Sequence, residues 1–394
     1  MEATTKFTKT IKDCEVCGSD SVKTVIDMGS HPLCDDLVPI GDERKCIEFP
    51  VELLFCNNCF TAHQKYQIDK EKLFPETYHY RARFTSDVLK GMEDLVDSCE
   101  RVIGKLSNKK ILDIGCNDGS LLNFFKLKST TTIGVEPTGA IDDASKDHIL
   151  YKEYFDEEIA EKIFDEHGFM DVITFTNVFA HIDDLNTLIK NLRKLISSKT
   201  ILIIENHYLG SIIENYQFDT FYHEHPRTYS LKSFCKIAEK LDSKIIKFEF
   251  PQRYGGNIRV FISKNNLCED ESKITLNKVL KKEEQFNKDF KVLNKFLMTW
   301  KKTKKNEIDK LVLKFGPLFA KAFPGRAAIL INILELDEKH IEGVYEKPGS
   351  KKIGHCVPGT KIPIISDNEL FSNIKDHKFI SVSYTHLRAH ETTN

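Results

Sequence analysis

A chain of 394 residues with 41% hydrophobic content exceeds the size at which one hydrophobic core stops growing, so two or three domains are expected. Charged residues make up 29% of it and nearly cancel, to a formal net charge of -2, which leaves no global field to recruit nucleic acid or an anionic membrane and points to a small partner. The eleven cysteines are odd in number and sit in a long chain whose first residues, MEATTKFTKTIKDCEVC, have no apolar leader core. With no apolar run of membrane-spanning length either, a cytoplasmic protein with reduced, metal-binding thiols is the expectation.

Residues 1–68 are cysteine-rich, with short β-like runs such as VKTVIDMG and IEFPVELLF between turn residues. Cys14 and Cys17 form one CxxC and Cys56 and Cys59 a second. Two such knuckles let four thiolates surround one Zn²⁺ tetrahedrally, and four protein ligands leave no open position, so the predicted role is structural. A redox CxxC is disfavoured because no βαβ pattern surrounds either pair. Cys34 and Cys46 lack partners at ligand spacing and read as packing cysteines.

From Glu71 to Leu106 the pattern is mostly helical, DVLKGMEDLVDSCERVIGKL carrying apolar residues at helical spacing. Strand and helix signals then alternate: KILDIG, a helix from Ser120, TTIGVE, a helix from about Asp156, DVITFT, a helix from about Asp184, and TILIIEN. Such alternation predicts a mostly parallel, Rossmann-like sheet covered on both faces, with ligands at the C-terminal strand ends. The first of those ends is glycine-rich. In KILDIGCNDGSLL the chain passes from an apolar strand through Asp113, Gly115, Asn117, Asp118 and Gly119 into a helix, the setting in which backbone approaches a ligand closely. The spacing does not fit GxGxxG, and Asp118 would repel a pyrophosphate. Glu136, ending the next strand, is placed to accept hydrogen bonds from ribose hydroxyls. S-adenosylmethionine, with its amino-acid end and sulfonium, suits this loop better than a dinucleotide. The third strand closes in TNVFAHIDD, which sets Asn177 and His181 at the same crevice.

Residues 273–314 are lysine-rich, with Phe286, Phe290, Leu293, Leu297 and Trp300 at helical spacing, which predicts an amphipathic helix with a solvated basic face. AAILINIL, the Gly/Pro-rich EKPGSKKIGHCVPGTKIPIIS and KFISVS then read as a smaller α/β unit. Residues 384–394 lack the patterning of what precedes them and read as either foreign sequence or a disordered native tail.

FYHEHPRTYS, residues 221–230, gathers two histidines and a carboxylate beside two tyrosines and an arginine. Together with CxxC…CxxC, YHYRAR, DIGCNDGSLL, GVEP, NVFAHIDD, YGGNIRVF and VPGTKIPI, in this order over about residues 11–383, it makes the chain resemble the sugar C-methyltransferases that act on nucleotide-linked keto-deoxysugars. The resemblance implies a zinc-binding N-terminal module (1–68), a central S-adenosylmethionine-dependent methyltransferase domain (69–272) and a C-terminal Rossmann-like α/β domain (273–383) that helps hold a nucleotide sugar, with thymidine diphosphate the expected carrier.

The resemblance also implies site residues: zinc on Cys14, Cys17, Cys56 and Cys59; cofactor on Gly115, Asn117, Asp118 and Glu136; catalysis by Tyr222, Glu224 and His225, with His181, Tyr78 and Tyr80 near the sugar. Its chemistry is proton removal next to a ketone, for which His225 is the expected base, Tyr222 the donor to the enolate oxygen and Glu224 the orienting carboxylate. His223 is the alternate base, since on an extended segment alternate residues share a side. Tyr254 stands in YGGNIR where the family's HGGSLR has histidine, and FGPLFAKAFPGRAAIL departs from its YGA-x-x-KG turn, so sugar and nucleotide contacts are expected to differ there. The competing readings are an O- or N-methyltransferase of another small molecule and a non-enzymatic zinc-ribbon binding protein.

Overall fold

A computed structural model of the chain describes residues 8–76, 78, 80–265, 270–321, 325–368, 379–381 and 388–390. Of the tail at 384–394, only residues 388–390 fall among them. No described helix is long and apolar enough to cross a membrane.

The N-terminal part consists of strands β1 (Thr8–Thr10), β2 (Val22–Pro32), β3 (Val38–Pro39), β4 (Glu48–Cys56), β5 (Ala62–Gln64) and β6 (Tyr66–Ile68). β4 pairs antiparallel with β2 and β5 and delivers Cys56 at its end. Each CxxC closes as a tight turn, Gly18 N–H donating to the Cys14 carbonyl and Phe60 N–H to that of Cys56. The residue after each pair, Gly18 at φ 74 and Phe60 at φ 59, is left-handed.

The helical expectation for 71–106 holds only in part. Helix α1 spans Ser86–Ile103, whereas the described residues between 74 and 85 run mostly as an irregular strap. Arg81 explains this, because its guanidinium bonds to Asp143 and to the carbonyls of Tyr78, Tyr80 and Gly139, a long-range anchorage that overrides local propensity. After α1 come β7 (Lys110–Ile114), α2 (Ser120–Lys126), β8 (Thr131–Val135), β9 (Ile149–Tyr151), α3 (Glu157–His167), β10 (Met170–Thr176), α4 (Leu185–Leu195), β11 (Ile196–His207), α5 (Leu209–Glu214), β12 (Arg227–Thr228), α6 (Leu231–Lys240), β13 (Lys244–Glu249) and β14 (Asn257–Ser263). Asp156 and Asp184 cap α3 and α4, each accepting from backbone N–H groups of the first turn.

Seven of these strands form one sheet in the order β13-β14-β11-β10-β7-β8-β9. β9, β8, β7, β10 and β11 are parallel, and β14 is antiparallel to both of its neighbours. The order reverses between β7 and β10, so the crevice expected for a ligand opens over Gly115 and Asn177. β12 leaves this domain to pair with β5, extending the N-terminal sheet.

Helices α7 (Asp270–Glu283) and α8 (Phe286–Phe315) lead to the last unit. The stripe Phe286, Phe290, Leu293, Leu297 and Trp300 is buried, each side chain contributing about 2 kcal/mol. The stripe packs on both earlier parts: Phe286 and Phe290 meet Phe55, and Trp300 meets Phe218. The last unit contains β15 (Leu318–Lys321), α9 (Ala327–Ile333), β16 (Ile341–Glu346), β17 (His355–Cys356), β18 (Ile364–Ser366), β19 (Phe379–Ser381) and β20 (Arg388–His390). Its sheet runs β18-β16-β15-β19-β20, parallel except at β20, and β17 crosses to pair with β3.

Candidate active site

The thiols of Cys14, Cys17, Cys56 and Cys59 converge, all four sulfurs lying within 4.8 Å of one another. Sγ of Cys14 is 3.4 Å from that of Cys59, and Cys17 is 3.6 Å from Cys56. A tetrahedral Zn–S₄ unit with bonds of about 2.3 Å has sulfur edges of about 3.8 Å, so the donor set fits Zn²⁺. Asn58 Nδ2 donates to Cys17 Sγ, and Thr61 Oγ1 lies 3.0 Å from Cys59 Sγ, contacts that suit thiolate ligands.

A cavity of about 550 Å³ opens at the C-terminal ends of β7, β8, β10 and β11. One half is built by the glycine-rich loop. Gly115 has φ 74, and a Cβ there would come within 2.5 Å of Val178, so only glycine permits this turn. Glu136 is oriented by the N–H of Asn117 at 3.1 Å and the hydroxyl of Thr138 at 2.6 Å. Asn117 binds the strap, its Oδ1 accepting from Ala82 N–H and its Nδ2 donating to the Tyr80 carbonyl. Asn177, left-handed at φ 54, accepts from Asn257.

Asp113 lies on the same wall, its carboxylate accepting from Thr174 Oγ1 at 2.7 Å. Burial, opposed by the Thr174 bond and helped by the charge of Glu136, pushes its pKa up to about 7. Among the described residues neither Asp113 nor Glu136 pairs with a cation. Two buried carboxyls on one wall without a counter-charge are chemically matched to a cationic ligand such as a sulfonium or ammonium.

The other half is aromatic. Tyr78, Tyr80, Phe74, Tyr222, Tyr254, His181, His207 and His225 line it. The His225 ring lies 4.4 Å from Tyr222, 5.0 Å from His181 and 5.2 Å from His207. His225 Nδ1 donates to the Thr220 carbonyl at 3.0 Å, which fixes the tautomer and leaves Nε2 with its lone pair. Burial first, then the neighbouring imidazoles, holds His225 well below the usual histidine range, and burial also lowers His181. Burial and the charge of Arg326 bring His207 down to about 3. All three rings are therefore neutral near pH 7. Burial and the charge of Glu224 raise the Tyr222 phenol well above its usual value, so it stays a proton donor.

Tyr254 adopts φ 56, an unusual conformation for a bulky residue. A buried ion cluster beneath it holds this turn: Glu205 accepts from Arg253 Nε at 2.6 Å and Arg259 Nε at 2.7 Å. The Tyr254 hydroxyl meets that of Tyr80 at 3.4 Å, and its ring faces His207.

Three expectations are overturned. Asp118 lies behind the loop, outside the cavity lining, and accepts from Ser120 and from Arg83 N–H, where it starts α2 and holds the strap. Residues 222–225 form a turn, His225 N–H donating to the Tyr222 carbonyl, so alternate side chains do not share a side. His223 accordingly points away, bonding the Phe49 carbonyl, and cannot act as the alternate base. The Glu224 side chain faces a separate cavity of about 230 Å³ beside Asp35 and Arg44. The group that orients His225 is the Thr220 carbonyl; Glu224 contributes its own carbonyl, to His181 Nδ1 at 2.6 Å. Sequence reasoning assigned no role to Asp113 or His207, although both end sheet strands, the criterion that singled out Asn177 and His181.

Three family models match consecutive segments: a zinc binding domain over residues 14–74, a methyltransferase domain over 84–247 and a C-methyltransferase C-terminal domain over 252–382. In this order the three matches make the chain similar to C-methyltransferases that carry a zinc-binding N-terminal part. It is 29% identical over 256 residues to the C-methyltransferase NovU of Streptomyces niveus, a match that covers 64% of this chain and 60% of that protein's length. Among solved structures it is similar to the magnesium protoporphyrin IX methyltransferase of Synechocystis with bound S-adenosylmethionine (TM-score 0.34, 15% identity, 45% of this chain and 82% of that one). A second is a methyltransferase of Archaeoglobus fulgidus (TM-score 0.35, 17% identity, 43% and 93%). The methyltransferase-domain match goes with S-adenosylmethionine and the zinc-binding match with Zn²⁺, and the crevice and the four thiols described above fit them.

Proposed function

We propose that the chain is an S-adenosylmethionine-dependent methyltransferase that deprotonates a nucleotide-linked keto-deoxysugar next to its ketone and methylates the resulting enolate carbon. The observation that carries this reading is the continuity of one cavity, with His225 Nε2 and the Tyr222 phenol in its aromatic half and Asp113 and Glu136 on the wall of the other.

Gly115, Asn117, Asn177, Glu136 and Asp113 would hold S-adenosylmethionine, which when bound supplies a methyl carbon made electrophilic by its sulfonium. His225, neutral and held in one tautomer, accepts the substrate proton at Nε2. The Tyr222 hydroxyl donates to the ketone oxygen as it becomes an enolate, a contact stronger in the transition state than in the ground state. Burial first, with His181 and His207 beside it, holds His225 below the usual histidine range and so in its basic form near pH 7. Tyr78, Tyr80 and Tyr254 present hydroxyls and ring faces to a sugar. Thymidine diphosphate is the carrier to try first, and the proposed division into three units is 1–68, 69–272 and 273–383. A cluster of four closely spaced thiols favours a reducing, cytoplasmic compartment.

The test is incubation with S-adenosylmethionine and a panel of nucleotide ketosugars in deuterated water. The expected result is deuterium at the carbon next to the ketone and a new carbon-bound methyl group. Methyl transfer to oxygen or nitrogen without exchange would replace this reading by the O- or N-methyltransferase.

A further inference from the structure

The C-terminal unit reaches toward the base with the side chain of Arg326. Arg326, just before α9, donates from Nη1 to Thr220 Oγ1 at 2.9 Å, and its Nε lies 3.4 Å from Asp219 Oδ2. Asp219 is wholly buried. These two partners belong to the turn 218–220, whose last carbonyl holds His225 Nδ1 at 3.0 Å. Neither Arg326 nor Asp219 lines the cavity, so the arginine does not touch a substrate there.

We infer that Arg326 is a positioning residue through which the C-terminal unit fixes the Thr220 carbonyl and thereby the tautomer and direction of His225. A planar guanidinium suits this task because one rigid group spans a hydroxyl and a carboxylate at once, which a lysine ammonium cannot do with the same geometry. The same cation adds to the field at the base. The charged and titratable groups facing His225 are His181 and His207 from the strand ends, Tyr222 from its own turn and Arg326; the two imidazoles and the guanidinium all oppose its protonation.

The inference rests on the C-methyl-transfer reading, and the test separates the two. Its readout is exchange: the carbon–hydrogen bond next to the ketone breaks, the proton passes to Nε2, the electron pair moves onto the ketone oxygen, and the carbon then takes a deuteron back from the imidazolium. The proton on Nε2 is replaced by solvent deuterium before that return, so the readout requires only the holoprotein, a nucleotide ketosugar and deuterated water. Absence of exchange in the wild type would remove the underlying reading. Where the wild type exchanges, Arg326→Gln is expected to lower the maximal exchange rate on the order of 100-fold, with substrate KM and S-adenosylmethionine Kd held within about threefold, and to move the acid limb of the pH profile upward. Arg326→Lys should keep the acid limb at the wild-type pH while recovering only part of the rate. Thr220→Val, which keeps the carbonyl and the arginine but removes the hydroxyl between them, should lower the rate without moving the limb, and it decides the matter if the glutamine variant does not fold. An unchanged rate and limb in Arg326→Gln, or an unchanged rate in Thr220→Val when that variant decides, overturns the inference.

Discussion

Replacing Asp113 by asparagine should stabilise the ligand-free protein above neutrality. The carboxyl is buried at the end of β7, and its pKa is pushed up from 3.8 to about 7. In the unfolded chain Asp113 loses its proton near 3.8, whereas the folded protein keeps it until about pH 7. The native state therefore holds the extra proton between those values, and raising the pH favours unfolding. A shift of about 3 units corresponds to about 4 kcal/mol of lost stability by pH 8. The amide of the Asp113→Asn variant would keep an acceptor for Thr174 Oγ1 without the ionisation. Trp300, the sole tryptophan, is buried against Phe218 at 5.0 Å and reports unfolding by fluorescence. Urea unfolding at pH 5 to 8 should show the wild type losing about 1.4 kcal/mol per pH unit relative to Asp113→Asn, levelling off above pH 7. Bound S-adenosylmethionine should work in the opposite sense, since a cation favours the carboxylate: wild-type affinity rises with pH, with release of about half a proton at pH 7, and the variant's affinity does not. Parallel stability curves for the two proteins would refute the argument that Asp113 is a buried, counter-charge-free acid.

His225→Asn should lower solvent exchange and methyl transfer by about 10²- to 10⁴-fold while leaving cofactor Kd unchanged, as isothermal calorimetry would register. Tyr222→Phe should lower turnover by about 10²-fold with little change in KM, the signature of a donor used mainly in the transition state. Because His207 is held down to about 3 in the folded protein, its stabilising effect is present above pH 6.5 and is lost as the pH falls below that value; His207→Gln should show a shallower acid decline in urea midpoint. Cys56→Ser should lose bound zinc in a colorimetric metal assay, lower the thermal midpoint and reduce methyl transfer, although the residue is remote from the cavity.

The sheet and the four thiols were legible in the sequence because their signals are local: a strand–helix period, a two-residue gap between cysteines, an Asp before α3 and before α4. FYHEHPRTYS stood out in the sequence as a polar cluster, but which of its side chains line the cavity did not. Which side chains face inward depends on a turn at 222–225 and on partners far away in sequence, such as Phe49 for His223 and Glu15 for Arg227. No periodicity encodes those pairings. His207 is a different case, since it directly follows TILIIEN at the end of β11 and the strand-end rule applied to it as directly as to His181. The strap at 74–85 looked helical because Arg81, whose bonds to Asp143 and Gly139 hold it down, acts across some 60 residues.

The density of polar groups in residues 221–230 has two causes, and only one is chemical. Tyr222 and His225 face the cavity; their neighbours fasten the loop to the zinc-binding part. Gln64 binds the carbonyls of Tyr222 and Pro226, Glu15 pairs with the buried Arg227, and β12 adds to β5. Ser230 and Ser233 both donate to the Cys59 carbonyl. A turn carrying a base and a proton donor must hold them within about half an ångström of a productive geometry, and an irregular segment has too little regular hydrogen bonding of its own to do so. The zinc-binding part can meet this need from outside: four thiolates on one Zn²⁺ would fix Cys59, whose carbonyl holds the end of the loop. On the proposed mechanism a bound Zn²⁺ would thus stand outside the chemistry and still influence its rate, through the stiffness lent to His225.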